Sequence, residues 1–342
     1  MSKLIFFDST LRDGSHAIRH QLSKDNIVDY CQNMDSSGMH TIIVGHGNGL
    51  GASSLQVGLS LLEDEEMLQA ARDNLQRTKL GVFLIPGFGT IKDNIRPAIN
   101  IGADLFCIAS HCTEADVTRQ HIEFIRQRGK DAYGVLMMYH MTSTERLVEE
   151  ALKMQQYGAM GIVIMDSAGA STSELVKQTI CSLVNNVDVE IGFHPHNNLG
   201  LAVSNACIAV NEGASIIDGT LRGFGAGAGN CQLEVVVGLL EKAGIKTGLD
   251  FYKMLDVSDS VVLNMMETVS GIDSISIVSG MAGVFSSFAP HVRKAAEKFQ
   301  VDPRDIFIEL GKRKVVGGQE DVIIEIAIDL LARKTKDHNL SF

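Results

Sequence analysis

The stretch AYGVLMMYHMTSTERLVEEALKMQQYGAMGIVIMD, residues 132–166, contains the pattern that decides the fold. An apolar run, Ala132–Met138, is followed by an amphipathic helical pattern over Thr144–Tyr157, and Gly158 marks the end of that helix. A second apolar run, Gly161–Asp166, follows directly. This arrangement is typical of one βα unit followed by the next parallel strand.

The same alternation covers most of the chain. Strands are predicted at Leu4–Ser9, Thr41–Gly45, Lys79–Ile85, Leu105–Ser110, Ala132–Met138, Gly161–Asp166, Glu190–His194 and Ile216–Thr220. Helices are predicted at Lys24–Ser37, Glu63–Gln76, Glu114–Arg128, Thr144–Tyr157, Ser173–Val184 and Leu201–Asn211. Eight βα units of this kind fill about 230 residues, so we favour one closed (β/α)8 barrel, or TIM barrel, over a doubly wound open sheet.

The sequence changes character after about Leu233, where only helical patterns follow. Pro303–Gly311 ends in a Gly stop, and Gly318–Ala332 is strongly apolar with acidic residues in its first turn. We therefore predict a TIM-barrel domain over residues 1–269 and a small all-helical C-terminal domain over residues 270–342.

Composition and charge exclude several classes of protein. The 342 residues are 45% hydrophobic and 21% charged, which is typical of a soluble globular protein. The net charge is −11 without a long basic run, so nucleic acid is not an expected partner. No uninterrupted apolar stretch has membrane-spanning length. The six cysteines are scattered, which indicates reduced thiols in a cytoplasmic protein.

Two polar clusters follow the first and seventh predicted strands. Arg12, Asp13 and His16 lie within five residues of one another after strand one, where a turn with surface charges is the alternative interpretation. His194 and His196 end strand seven, and residues i and i+2 of a strand face the same side. The two imidazoles therefore form a potential chelating pair.

The closed barrel predicts that these clusters meet. Only strand eight separates strands seven and one, so we expect Asp13, His194 and His196 to hold one divalent metal ion. One carboxylate and two imidazoles suit Mn²⁺, Fe²⁺, Co²⁺ or Mg²⁺, with Zn²⁺ as a further alternative. Among these we favour Mn²⁺.

Other residues at strand ends complete the expected pocket. Gly223–Asn230 matches neither a Walker loop nor a dinucleotide motif, so we interpret it as backbone packed around the metal, with a flexible loop as the alternative. Asn230 is expected to reach the metal or its water. Ser167, His46 and Tyr139 are candidates for substrate binding. No predicted strand ends in Lys, which favours metal activation over imine chemistry.

These motifs resemble those of a known superfamily. Thr10–Ser15, His194–His196 and Gly225–Asn230 are similar to signatures of the pyruvate-lyase-like metal barrels, which include hydroxymethylglutaryl-coenzyme A lyase and isopropylmalate synthase. Within this group the chain most resembles the 4-hydroxy-2-oxovalerate aldolase family. The stretches that carry this resemblance are Leu11–Gln21, Leu136–Met141, Ala282–Phe288 and Val316–Asp321.

The resemblance implies a class II aldolase that forms or cleaves a 4-hydroxy-2-oxo acid from pyruvate and a short aldehyde. A metal would bind the 2-oxo acid and stabilise its enolate. Arg12 would steady the developing oxyanion, and His16 would act as the general base. The resemblance also implies that residues 270–342 dock an acylating aldehyde dehydrogenase, so that the protein forms a homo- or hetero-oligomer.

The chain departs from the family beside the expected site. Phe285, a candidate substrate contact, stands where the family usually has Tyr, and Tyr139 is a candidate source of the missing hydroxyl. Two alternatives therefore stay open. One is a Claisen-type enzyme that condenses an acyl-coenzyme A, and the other is a non-catalytic barrel that stabilises a dehydrogenase.

Overall fold

Eight parallel strands form a closed barrel in the order in which they occur along the chain. The computed structural model describes the backbone of residues 3–339 and the side chains of residues 3–334. The strands are β1 Ile5–Asp8, β2 Thr41–Ile43, β3 Lys79–Leu84, β4 Leu105–His111, β5 Asp131–Met137, β6 Gly161–Asp166, β7 Glu190–Pro195 and β8 Ile216–Gly219. β1 pairs with both β2 and β8, so the predicted TIM barrel is confirmed.

Helices cover the outside of this barrel. They are α1 Lys24–Met34, α2 Asp64–Arg72, α3 Arg96–Ile101, α4 Arg119–Arg126, α5 Thr144–Gln156, α6 Ser173–Asn186, α7 Ala202–Asn211 and α8 Leu233–Lys242. Polar side chains set several helix starts. Ser23 caps α1, Ser143 caps α5 and Thr172 caps α6, each by accepting a backbone N–H bond from the first turn.

The segment between β3 and β4 was not predicted to be helical. It contains a π-helical turn, Ile91–Ile95, that leads directly into α3. Thr90 caps this turn, and Pro97 occupies the first turn of α3, where a missing N–H is tolerated. The π turn disturbs the 3.6-residue period, so the apolar spacing did not indicate a helix.

The barrel interior sets the position of two polar side chains. Ile216 of β8 belongs to the packed cluster inside the barrel and pairs with Gly192 of β7. Asp218 and His194 lie two residues further along the same strands, and therefore share the inward face. Both side chains end up buried at the carboxyl end of the barrel.

The chain after α8 is helical. Its helices are α9 Phe251–Val257, α10 Leu263–Met265, α11 Ser274–Ala282, α12 Ala289–Phe299, α13 Pro303–Lys312 and α14 Asp321–Asn339. Met254, Val262 and Met265 pack into the barrel core, whereas Phe288 and Phe307 belong to a separate hydrophobic core. The domain boundary at residues 269 and 270 stays a prediction, and residues 1, 2 and 340–342 of the two predicted domains lie outside the described residues.

Two further findings concern membrane-spanning helices and disulfide bonds. Within the described part of the chain, no helix is both long enough and apolar enough to span a membrane. Each of the six cysteines, all of which lie in that part, is free of disulfide bonds.

Candidate metal centre and active site

Asp13, His194 and His196 converge at the carboxyl end of the barrel, and all three are buried. Their nearest ligand atoms lie within 4.8 Å of one another. Nε2 of His194 lies 3.7 Å from Oδ2 of Asp13, and Nε2 of His196 lies 3.6 Å from the same oxygen. The structure therefore brings together the three residues that the sequence proposed as ligands.

The backbone after β1 and β7 holds these side chains in place. Asp13 begins a 3-10 helix and donates its N–H to the Ser9 carbonyl oxygen at 2.7 Å. His196, one residue beyond β7, donates its N–H to the Asp166 carbonyl oxygen at 3.2 Å. A β-bridge between His196 and Asn230 attaches the Gly-rich segment to this end of the barrel.

The Gly-rich segment packs its backbone against the cluster. Nδ2 of Asn230 donates to Oδ1 of Asp13 at 3.0 Å and to the Phe224 carbonyl oxygen at 3.2 Å. A Cβ at Gly225 would overlap the Asn230 amide, so a larger residue does not fit there. Asn230 thus orients the carboxylate of Asp13 through its amide nitrogen.

Neighbouring charges shift the pKa values of two of the three residues. Burial acts to raise the pKa of Asp13, but Arg12 and the nearby imidazoles hold it well below its usual range. Burial acts to lower the pKa of His194, yet Asp218 and Asp13 outweigh it and raise that pKa to about 9. The field at the cluster therefore favours positive charge at His194.

The donor set fits a divalent cation. Nε2 of His194 is buried, faces Asp13 and has no hydrogen-bond partner among the described residues. Buried nitrogens without a partner are rare and costly. A cation between the imidazoles and the carboxylate would satisfy this atom, and this ligand set is one that Mn²⁺, Co²⁺ and Zn²⁺ accept.

A cavity of about 350 Å³ opens from the cluster. Its lining includes Arg12, Asp13, His16, His196, Ser167 and Phe285, together with Gly317 and Glu320 from the C-terminal helical region. The volume lies at the small end of the range for ligand pockets, about 300–1,000 Å³. The structure thus places Ser167 and Phe285, two predicted substrate contacts, on the wall of the cavity.

Arg12 is held at the junction of the cluster and the cavity. Its Nη1 lies 2.8 Å from Oδ2 of Asp13 and donates to the Gly47 carbonyl oxygen at 3.0 Å. Its Nη2 donates to Oγ of Ser9 at 3.3 Å, and the guanidinium lies 4.6 Å from the centre of the Phe83 ring. These contacts hold the positively charged Arg12 guanidinium beside the Asp13 carboxylate and leave some of the guanidinium N–H groups free.

His16 also lines the cavity, where its ring packs against Gly47. A Cβ at Gly47 would overlap Nε2, Cδ2 and Cε1 of the imidazole. Burial lowers the pKa of His16 to about 4, although Asp13 acts in the opposite direction. The ring is therefore neutral at physiological pH.

His46, which the sequence proposed as a substrate contact, is not among the residues that line this cavity. Its Nδ1 accepts the Asn48 backbone N–H at 3.0 Å, and its Nε2 lies 3.1 Å from the Gly58 carbonyl oxygen. The ring stacks on His20, with centroids 3.6 Å apart. Backbone groups therefore occupy both ring nitrogens, and the role of His46 as a substrate contact stays a prediction.

Tyr139 is also outside the cavity lining. The chain turns at Met138, which has a φ of 56°, and the Tyr139 ring then packs edge-on against Phe193 in the barrel core. The Tyr139 hydroxyl is buried and has no hydrogen-bond partner among the described residues, and its role as a substrate contact stays a prediction.

Asp218 is a residue that the sequence analysis missed. It lies 2.9 Å, through Oδ2, from Nδ1 of His194. The sequence did contain a signal for Asp218, because it follows an inward-facing apolar residue by two positions in a predicted strand. A carboxylate at such a position is buried, and burying it is costly unless it has a partner. That signal required the register of β8, which the pattern of short apolar runs did not define.

With this geometry established, comparisons with known proteins define the class. Residues 3–261 match the family described as HMGL-like, and residues 270–332 match one described as a DmpG-like communication domain. The chain is thus an HMGL-like barrel with a communication domain.

Relatives narrow this class. A 4-hydroxy-2-oxovalerate aldolase of Pectobacterium atrosepticum is 54% identical over 97% of this chain and 96% of its own length. One of Spirochaeta aurantia is 47% identical over 96% of this chain and 97% of its own length. The chain belongs to the 4-hydroxy-2-oxovalerate aldolase family, and the resemblance stated from its motifs is confirmed.

Solved structures support the fold alone. The carboxyl transferase domain of Rhizobium etli pyruvate carboxylase has a TM-score of 0.82 and 16% identity, covering 98% of this chain and 61% of that one. The N-terminal domain of a putative aldolase from Bacteroides vulgatus has a TM-score of 0.71 and 22% identity, covering 83% of this chain and 94% of that one.

Proposed function

We propose that this chain is a divalent-metal-dependent aldolase that cleaves a 4-hydroxy-2-oxo acid to pyruvate and a short aldehyde, and catalyses the reverse condensation. The observation that carries the proposal is the buried cluster of Asp13, His194 and His196, which opens into a cavity beside Arg12 and His16. Relatives of nearly equal length that are named for this activity support it.

Mn²⁺ is the proposed cation, with Mg²⁺, Co²⁺ and Zn²⁺ as alternatives. Asp13, His194 and His196 would hold it, and Asn230 would keep Asp13 oriented. When bound, the cation supplies Lewis acidity toward the carboxylate and keto oxygens of a 2-oxo acid.

Residues around the cluster have separate proposed roles in binding the substrate and stabilising charge. Arg12 is fixed where its free N–H groups can donate to the keto oxygen as negative charge develops. Ser167 is proposed to donate its hydroxyl to the substrate carboxylate, and Phe285 to form an apolar wall of the cavity.

His16 is the proposed general base. Its neutral imidazole takes the proton of the 4-hydroxyl while the C3–C4 bond breaks and the aldehyde leaves. The electrons of that bond pass toward the 2-oxo group beside Arg12. The proton taken by His16 is then delivered to C3, directly or through solvent, which completes pyruvate and restores the neutral imidazole. In synthesis the proton moves in the opposite direction, so that His16 acts as the acid.

The activity is tested by measuring pyruvate release from 4-hydroxy-2-oxopentanoate and longer homologues. Chelator-stripped protein should release none, and Mn²⁺ should restore release. Asp13→Asn, which keeps the shape of the side chain but removes its charge, is the matched control and should stay inactive with Mn²⁺ present. Loss of metal dependence, or absence of pyruvate from every homologue, would contradict the proposal and direct attention to acyl-coenzyme A condensation.

The proposal extends to the helical region. A barrel domain over residues 1–269 and a helical domain over residues 270–342 would be the functional units, and the second would dock an acylating aldehyde dehydrogenase. The separate hydrophobic core of this region and its match to a communication domain support this division. A cytoplasmic hetero-oligomer would follow.

An exposed apolar pair offers a test of docking. Ile324 and Ile328 lie one turn apart on α14 and are 41% and 49% exposed. Val235 and Leu239 form a matched pair on barrel helix α8, at 39% and 43% exposure. Lys at both α14 positions should abolish co-purification with a co-expressed acylating aldehyde dehydrogenase, whereas Lys at both α8 positions should not. Equal effects of the two pairs would contradict docking through α14.

A further inference from the structure

Asp218 contacts His194, one of the proposed metal ligands. It neither lines the cavity nor forms an ion pair with His196. Its Oδ2 lies 2.9 Å from Nδ1 of His194, on the side of the ring opposite Asp13. The carboxylate is buried at the end of β8, which pairs with both β7 and β1. A buried acid in this place costs stability unless its oxygens are occupied.

The second oxygen of Asp218 is occupied from the other side. Oδ1 accepts the hydroxyl proton of Ser9 at 2.7 Å, and Ser9 in turn accepts an N–H from Arg12 at 3.3 Å. Since the Ser9 oxygen receives the Arg12 N–H, its own proton is directed to Asp218. The chain of contacts therefore runs from Arg12 through Ser9 and Asp218 to His194.

This chain of contacts dictates which nitrogen of His194 carries a proton. A carboxylate can only accept, so the imidazole presents Nδ1–H to Asp218. The other nitrogen, Nε2, faces Asp13 at 3.7 Å and has no hydrogen-bond partner among the described residues, so it is the atom that gives up its proton when a cation binds. Among the described residues, His196 contacts no acidic side chain other than Asp13, which faces its Nε2, whereas His194 also has Asp218 at its Nδ1.

We infer that Asp218 is a positioning residue that fixes the tautomer and orientation of His194 for binding a divalent cation, an inference that rests on the proposed metal-dependent function. Carboxylates placed behind histidine ligands typically contribute about 10- to 100-fold to metal affinity. His194 would therefore be the prearranged imidazole of the pair, and His196 the adaptable one.

The substitution Asp218→Asn tests this inference, because it should weaken the binding of Mn²⁺. Ser9 would still donate its proton, so the carbonyl of the new amide would turn toward Ser9 and its NH₂ group toward Nδ1 of His194. Nδ1 would then have to accept, and the ring proton would move to Nε2, the atom needed for the metal. We expect the Kd for Mn²⁺, measured from the free-ion electron paramagnetic resonance signal, to rise about 10- to 100-fold.

Two further variants separate this role from a merely structural one. Asp8→Asn is the matched control, because Asp8 is a buried acid on β1 that bonds Thr10 and Tyr30 instead of a proposed ligand. It should leave the Kd unchanged. Ser9→Ala added to Asp218→Asn frees the amide to rotate, and should recover part of the lost affinity.

The outcomes are distinguishable. A native chain that binds no Mn²⁺ would overturn the proposed function together with this inference. A native chain that binds Mn²⁺ while Asp218→Asn binds it equally well would overturn the positioning role alone. If Asp218→Asn does not fold, nitrogen-15 spectra of histidine-labelled native protein with Zn²⁺ decide: a proton on Nδ1 of His194 supports the role, and a proton on Nε2 overturns it.

Discussion

The Cα of Gly47 packs against the imidazole of His16 so closely that a Cβ would overlap three atoms of the ring. Gly47 also accepts a hydrogen bond from Arg12 through its carbonyl oxygen at 3.0 Å. One residue of the loop after β2 thus contacts both the proposed base and the proposed oxyanion donor.

Gly47→Ala should therefore displace His16 while leaving the metal cluster intact. Displacement of a reacting group by about 1 Å can reduce turnover by about 10²-fold. The measurement is kcat for pyruvate release together with the Kd for Mn²⁺, and only kcat should change. Gly271→Ala is the control, because a Cβ there meets nothing within 4 Å and its backbone is not left-handed. Equal activity of the two variants would show that His16 tolerates displacement.

Removing the imidazole itself gives a second prediction. His16→Ala should lower kcat by about 10²–10⁴-fold, the usual contribution of a general acid or base. Mn²⁺ affinity should be unchanged, because His16 is not part of the ligand cluster. His291→Ala, on the wall of a neighbouring cavity, is the control and should keep native turnover. Retained activity in His16→Ala would remove His16 from the role of base.

The sequence was sufficient for the barrel and for the convergence of the three proposed ligands, because both follow from short-range periodicity and chain order. β6 agrees residue for residue with the prediction Gly161–Asp166. Asp13 and His194 are distant in sequence, but closure of the barrel brings them within reach of each other.

Side-chain direction at the strand ends could not be predicted in the same way. His46 and Tyr139 end up outside the cavity because backbone groups capture the first and a turn at Met138 redirects the second. The contributions of Asp218 and Gly47 depend on register and on close approach between segments. Neither property is visible in a local pattern of residue types.

Asp8 gives a prediction for the pH dependence of stability. Burial raises its pKa from 3.8 to about 6, against the effect of hydrogen bonds from Thr10 and Tyr30. The folded state therefore holds this proton more tightly than the unfolded state, and the group loses stability as pH rises from about 4 to 6, by about 3 kcal/mol in total. Above pH 6 both states are ionised, and no further loss occurs.

Asp8→Asn removes this ionisation. The variant should resemble the native protein in Tm near pH 4 and exceed it increasingly as pH rises to 6, after which the difference should stay constant. Thermal scans of both proteins in the presence of chelator, at several pH values, provide the measurement. A difference in Tm that is independent of pH would show that Asp8 ionises at its ordinary pKa in the fold.

Metal removal gives the last prediction, which concerns stability instead of turnover. A cation that binds only the folded protein stabilises it by about 2.7 kcal/mol when its concentration is 100 times its Kd. Mn²⁺ added to chelator-stripped protein should therefore raise Tm, and the rise should grow with the logarithm of Mn²⁺ concentration. Asp13→Asn should show no such rise, because the variant lacks the carboxylate that both imidazoles face. An equal rise in Tm for the variant would place the cation elsewhere on the protein.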